Sequence, residues 1–261
     1  MGTGEEMTTL GWQKNLSNDA YHANKAYVGS SLLKKIRRSN KAFKVAKDAG
    51  PTGQTSGQEM GSCVHSMKLE DIPFESLYTM KGTKTSINFK NQVMGMYNAL
   101  NDHALANLIL TKPGAIVERA GFYVDEETKI ALKIKPDLYA PDSGGMLVDL
   151  KTTTDIEGFE KEVWKFRYDF SLLMYARGIE AIDGKCPDDI VIVAVENKAP
   201  FEVRVFDMRP MLNVGRAEHD YRLALKRLKK ARETDSWLDK YQDEITLSYP
   251  AWVDFLPLQE E

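Results

Sequence analysis

The apolar period of this chain changes twice, and the middle stretch limits the possible folds most sharply. Phe89, Val93, Met96, Leu100, Ala104 and Leu108 recur at helical spacing over residues 86–110, and Lys112-Pro113-Gly114 stops that run. The pattern then becomes that of strands over Ile116–Val124, Lys129–Tyr139 and Met146–Lys151. Asp125-Glu126-Glu127-Thr128 and Asp142-Ser143-Gly144-Gly145 supply the turns, which predicts an antiparallel meander. Helical spacing resumes over residues 158–182. Ile190–Val195 is a short apolar run suited to a fully buried strand, and Phe201–Asp207 alternates like a more exposed partner. An amphipathic helix is expected over 210–232, and upstream ones over 58–69 and from Ser30 into the 20–50 segment. These elements define an α/β fold: a twisted, mixed sheet flanked by helices.

No linker or repeat divides the chain. One domain is expected over residues 20–255, between a flexible tail over 1–19 and a short C-terminal tail over 256–261. The 261 residues can bury a sizeable core without disulfides. Cys63 and Cys186 are too few for a four-cysteine zinc site or an iron–sulfur cluster, and read as free thiols in a reducing compartment. No apolar run is long enough for a membrane span, so the expectation is a soluble cytoplasmic protein without a membrane partner.

Chemistry concentrates on the expected meander. Side chains alternate faces along a strand, so Asp149 and Lys151 share one face while Val148 and Leu150 take the other. The turn at Gly144-Gly145 lets the preceding strand bring Asp137, after Lys135-Pro136, beside Asp149. Two carboxylates so close repel unless a cation joins them, and a hard divalent ion such as Mg²⁺ meets that need. Lys151 is then placed to hold an attacking water and offset charge on a phosphate. Glu118 interrupts an apolar stretch, which marks it as a further site residue unless Arg119 or Lys133 pairs with it. A lone histidine such as His65, on a half-buried helix, is more often structural by spacing alone. His22, His103 and His219 have no such neighbourhood.

The net charge is −3, so only local clustering can argue for a nucleic-acid partner. Such a cluster exists: between Lys25 and Lys47 there are eight basic residues and no acid, among them Lys34, Lys35, Arg37, Arg38 and Lys41. A one-signed stretch repels itself without a partner, and phosphate contact is the expected role.

Pro136-Asp137 followed by Asp149-Leu150-Lys151 resembles the signature of the PD-(D/E)xK nuclease superfamily. Within it, the chain is similar to the RecE-type exonucleases. Gly61-Ser62-Cys63-Val64-His65, continuing to Leu69-Glu70, resembles that family's G-x-x-x-H-x-x-x-L-E motif. Tyr21-His22-Ala23, Ser30-Ser31, Leu33-Lys34, Ser39 and Phe43 resemble its entry segment. Trp237, Tyr241, Leu247, Pro250 and Trp252 resemble its tail pattern. Two positions depart from the family: Ser171 stands where glutamine precedes Tyr175, and Asn40 where proline follows Ser39.

The resemblance implies that His65, Asp137, Asp149 and the Leu150 backbone carbonyl bind Mg²⁺, with Mn²⁺ a possible substitute. It implies that Glu118 joins the metal or water network, that Lys151 activates the nucleophile, and that Tyr175 is a catalytic residue. It further implies 5′ to 3′ digestion of linear double-stranded DNA ends, leaving 3′ single-stranded tails for a single-strand annealing recombinase, by a ring-forming homo-oligomer in a bacterial or phage-infected cell. Two other functions fit the residues: a different nuclease on the same core, such as an endonuclease or repair nuclease, and a non-catalytic DNA-binding protein. The paucity of cysteines argues against an iron–sulfur repair enzyme, and the presence of all four of Glu118, Asp137, Asp149 and Lys151 against loss of catalysis.

Overall fold

A computed structural model describes residues 9–238 apart from 15, 51, 52 and 54. The chain opens with β1 (Gly11–Gln13), then α1 (Asn18–Ala23), α2 (Ser30–Arg38), α3 (Asn40–Ala49), α4 (Ser56–Leu69), α5 (Phe74–Leu77), α6 (Lys84–Asp102) and α7 (Ala104–Leu110). Strands follow: β2 (Ile116–Val117), β3 (Ala120–Val124), β4 (Ala131–Ile134), β5 (Leu138–Ala140) and β6 (Met146–Thr153). The remainder is α8 (Phe159–Phe166), α9 (Tyr168–Asp183), β7 (Asp189–Glu196), β8 (Val203–Asp207), α10 (Arg209–Asn213) and α11 (Arg216–Glu233).

Strands 2, 5, 6, 7 and 8 form a mixed five-stranded sheet in that order, with β6 and β7 parallel and the other pairs antiparallel. Alternation gives it two apolar faces. Leu138, Val148, Leu150, Val191, Val193 and Val195 pack under α4, α6 and α7, while Leu147, Ile190, Ile192 and Ala194 pack under α2, α9 and α11. Both faces of β7 are buried, which is why its sequence is a continuous apolar run.

The expected three-stranded meander is corrected. It splits into two sheets, because β3 and β4 pair with each other and with β1 in a separate small sheet. One antiparallel ribbon carries both halves: Gly121 lies opposite Ile134 in the small sheet, and Val117 opposite Leu138 in the large one. Between them the Glu118 N–H still donates to the Asp137 carbonyl at 3.1 Å. The bend arises from Glu118, whose φ of +44° is left-handed, and from Pro136, which cannot donate to the ladder. Glu118 breaks the apolar pattern on one strand, but on the returning strand Leu132, Ile134 and Leu138 alternate straight through the bend, so periodicity does not register the change of partners.

Four expected helices also divide. Ser39 ends α2 and caps α3 by accepting from the Ala42 N–H. His103 caps α7 by accepting from the Ala106 N–H. Arg167, left-handed at φ 55°, separates α8 from α9, and Gly215 (φ 78°) precedes α11. Residues expected in an N-terminal tail are ordered as well. Gly11–Gln13 adds a strand to the small sheet, and Trp12 donates to Asp183 at 2.9 Å. Tyr241, Leu247, Pro250, Trp252 and residues 256–261 lie outside the described residues. Cys63 is buried and Cys186 half-buried, both free thiols. Among the described residues, no helix is long and apolar enough to cross a membrane.

Candidate active site

The bend in the ribbon opens a fork in the large sheet. Pairing of β5 with β6 begins at Leu138 opposite Val148 and runs only toward Met146. Beyond it the edge of β6 loses its backbone partner on that side. Two side chains meet the groups left behind: the Leu150 N–H donates to Asp137 Oδ2 at 2.7 Å, and the Leu150 carbonyl accepts from His65 Nε2 at 2.7 Å. A carbonyl inside a sheet is normally spent on the ladder; this one faces the site because the neighbouring strand has turned away.

His65 reaches the fork from α4, held against β6 by Gly61 one turn earlier. A Cβ there would lie 3.3 Å from Thr152 Oγ1, so a larger residue would push the helix back. Helix α4 is fixed at its start by a capping box of Thr55 and Gln58. His65, Glu118 and Asp137 each offer a ligand atom within 4.8 Å of the others. His65 Nδ1 is 3.7 Å from Glu118 and 3.6 Å from Asp137.

Asp149 and Lys151 share a face, as alternation requires. Lys151 Nζ lies 2.6 Å from Asp149 Oδ2, 3.1 Å from the Leu150 carbonyl and 3.6 Å from Asp137 Oδ2. Its ammonium is thus drawn among three of the oxygens expected to bind metal. Burial works against the Lys151 charge, but Asp137 and Asp149 outweigh it and hold the ammonium protonated. Burial pushes the Asp149 carboxyl above its usual range, Lys151 pulls it down and Asp137 adds to the rise. Burial likewise disfavours charge on His65, yet Asp137 and Glu118 lift it above an ordinary histidine. Three carboxylates that need cations beside them, with a histidine and a carbonyl outside the strand ladder, are a donor set suited to a hard divalent ion.

Lys135 belongs to the site although the sequence reading used it only to mark a motif. It pairs with Glu118 at 2.6 Å, a partner other than the Arg119 or Lys133 whose pairing would have made Glu118 structural. Burial raises the Glu118 carboxyl, while His65 and Lys135 bring it below its ordinary value. Lys133 instead donates to the Tyr21 and Asn24 carbonyls, at 2.5 and 2.8 Å. Tyr168 was also missed; its ring lies 5.5 Å from Lys151 Nζ. Tyr175 projects from α9 toward the site and hydrogen-bonds Ser30. Burial first, then Asp149 and Asp137, push its hydroxyl up, so it stays a neutral donor. Ser171 sits one turn earlier on α9, half-buried.

The basic segment divides. Lys35, Arg38 and Lys41 are exposed. Lys34 and Arg37 turn inward, against the expectation of a uniform basic face. Lys34 donates to the Phe166 and Arg167 carbonyls at 2.9 and 3.3 Å, and burial pulls its ammonium down to about 8. Arg37 pairs with Asp220 at 3.0 Å.

A carboxylate–lysine centre at the fork of a helix-flanked mixed sheet defines a protein of the PD-(D/E)xK nuclease superfamily. The chain belongs to the family described as a PDDEXK-like domain of unknown function (DUF3799), which it matches over residues 29–242. It is similar in structure to a "Putative exonuclease" from Eubacterium rectale, with a TM-score of 0.64 and 15% identity, covering 91% of this chain and 96% of that one. At that identity the likeness shows the fold. A fainter likeness to the structure of SSO0001, with a TM-score of 0.30 and 11% identity over 74% of this chain and 84% of that one, carries no argument. No curated protein matches the sequence significantly.

Proposed function

We propose that this protein is a Mg²⁺-dependent exodeoxyribonuclease that degrades linear duplex DNA from its ends, 5′ to 3′, leaving 3′ single-stranded tails. The observation that carries the reading is the convergence of Glu118, Asp137, His65 and the Leu150 carbonyl at the fork, with Asp149 and Lys151 alongside. His65, Asp137, Asp149 and the Leu150 carbonyl would hold the ion, with Glu118 bordering it. When bound, the ion would supply Lewis-acid polarisation of the scissile phosphate and a template for in-line attack by water.

The chain's own groups do the rest. Lys151 orients the water and offsets charge on the phosphate as a point cation. Lys135 keeps Glu118 ionised and aimed into the fork. Tyr175, neutral and anchored on Ser30, donates to a phosphate oxygen or to water. The exposed Lys35, Arg38 and Lys41 contact phosphates of the incoming duplex. The resemblance to RecE-type exonucleases supports two further parts of the proposal: several copies assemble as a ring around DNA, and the tails pass to a single-strand annealing recombinase in a bacterial or phage-infected cell.

Digestion of linear duplex labelled at one 5′ or one 3′ end, with Mg²⁺, tests the reading. Early release of the 5′ label as mononucleotide, with closed circular duplex left intact, is expected. Equal cutting of circles would replace it with an endonuclease, and cleavage at full rate in EDTA would remove the metal.

A further inference from the structure

A large exposed aromatic lies one ring away from Lys151. Helix α8 packs through Phe159 and Val163, yet Phe166 at its end is 45% exposed. Arg167 then turns left-handed, and this places Phe166 and Tyr168, two positions apart, face to face at 5.7 Å and 28°. Tyr168 stacks in turn on buried Phe159 at 6.1 Å, and Phe159 on Phe206 at 5.1 Å. A ladder of four rings therefore runs outward from the core. Its third rung, Tyr168, touches Lys151, and its outer rung opens to solvent.

Cations border the ladder. Lys165 Nζ lies 5.1 Å from the Phe166 ring, and Lys34 is fixed on the carbonyls where α8 ends. Bidentate pairing with Asp169 and a bond to Asp220 hold Arg167 rigid. Flat apolar faces interleaved with positive charge match a single strand of nucleic acid, whose bases stack and whose phosphates are anionic. A self-contact or an apolar peptide would use the rings but gain nothing from the adjoining lysines.

We propose that the corner of α8 and α9, formed by Phe166 and Tyr168, is a nucleobase-stacking subsite for the unpaired end of a DNA strand. The inference rests on the nuclease reading of the neighbouring fork and specifies how a duplex end enters it. A phosphate beside Lys151 leaves the adjoining base next to Tyr168 and Phe166. A base still paired in a duplex cannot present its face there, so the end must open by one or more pairs. Stacking on the rings replaces the stacking lost on opening.

The test is the affinity of the full chain for a fluorescent oligothymidylate of about ten nucleotides, in Ca²⁺, by anisotropy across a salt series. Phe166→Ala should weaken binding about 5- to 150-fold per stacked base while leaving the salt dependence unchanged, because no phosphate contact is removed. Phe166→Tyr should retain affinity, whereas Phe166→Leu, apolar but not flat, should lose it. Leu108→Ala, at an exposed apolar position on α7 across the sheet, is the control and should bind as wild type. Unchanged affinity in a folded Phe166→Ala variant overturns the proposal. If sedimentation changes while affinity does not, the corner is a contact between copies and the proposal also falls. Digestion of duplex by the wild type reports on the nuclease reading separately. Loss of that activity with an intact oligothymidylate effect removes the nuclease alone; the reverse removes the stacking subsite alone.

Discussion

Two of the ionic clusters among the described residues are built from similar residue types but differ in kind. At the fork, Glu118, Asp137 and Asp149 face Lys135, Lys151 and His65. Between α2, α9 and α11, Asp169 and Asp220 face Arg167 and Arg37. In the second cluster donors and acceptors are matched: Arg167 grips Asp169 with two parallel bonds and reaches Asp220 at 2.8 Å. Its geometry is closed, and it ties three helices together. In the first, three carboxylates face two lysines and a histidine, and ligand atoms of His65, Glu118 and Asp137 lie within 4.8 Å of one another. Buried charge alone therefore does not mark a site. Convergence of like charges does, because it is costly until a cation arrives.

The comparison breaks most visibly at Asp149. Asp149→Ala should lower DNA hydrolysis by at least about 10²–10³-fold with the melting temperature little changed, since it removes a ligand and little core volume. Digestion assays beside thermal melts check this, and EDTA should reproduce the loss reversibly. A fully active variant would move the metal away from Asp149.

Asp220→Ala should behave oppositely. It strands Arg37 and Arg167, and the folded state should lose about 3–5 kcal/mol by urea unfolding, with divalent-metal affinity at the fork unaltered. Burial raises the Asp220 carboxyl, but Arg167 and Arg37 outweigh it and hold the group below its usual value. Its stabilisation is thus present above about pH 4 and fades as pH falls through the depressed value. The variant should show a shallower loss of stability on acidification, and an identical acid profile would make the second cluster ornamental.

His65→Ala should weaken metal binding roughly 10- to 100-fold, the scale seen when a partner of a metal site is removed, with activity partly recovered at high Mg²⁺ or Mn²⁺. Calorimetric titration reads this directly; unchanged affinity would return His65 to a structural role beside Leu150.

The smallest effect concerns the exposed cations. Lys35→Gln with Arg38→Gln should lower duplex affinity severalfold and flatten its salt dependence by up to about two units of slope, with assembly intact. Including Lys34 or Arg37 would blur the result, because both carry structural bonds. A double variant with wild-type affinity and slope would leave Lys35 and Arg38 as a solvated face.

Much of this protein follows from local pattern. Alternation along a strand puts Asp149 and Lys151 on one face, and the apolar run of Ile190–Val195 can only be buried. The helical stripe of Met60, Val64 and Met67 places His65 at the border of the buried face of α4. These are consequences of backbone geometry over a few residues, and the sequence alone determined them. The bend at Glu118 and Pro136 was hidden, because Leu132, Ile134 and Leu138 alternate across it while the hydrogen-bonding partners change. The inward turn of Lys34 was hidden as well, since its acceptors lie 132 and 133 positions away. The same holds for Arg37 on Asp220, whereas Lys135 meets Glu118 across the ribbon only because of the bend. A side chain's charge is written in the sequence, but its partner depends on which distant elements the core brings together, and only the tertiary structure decided that.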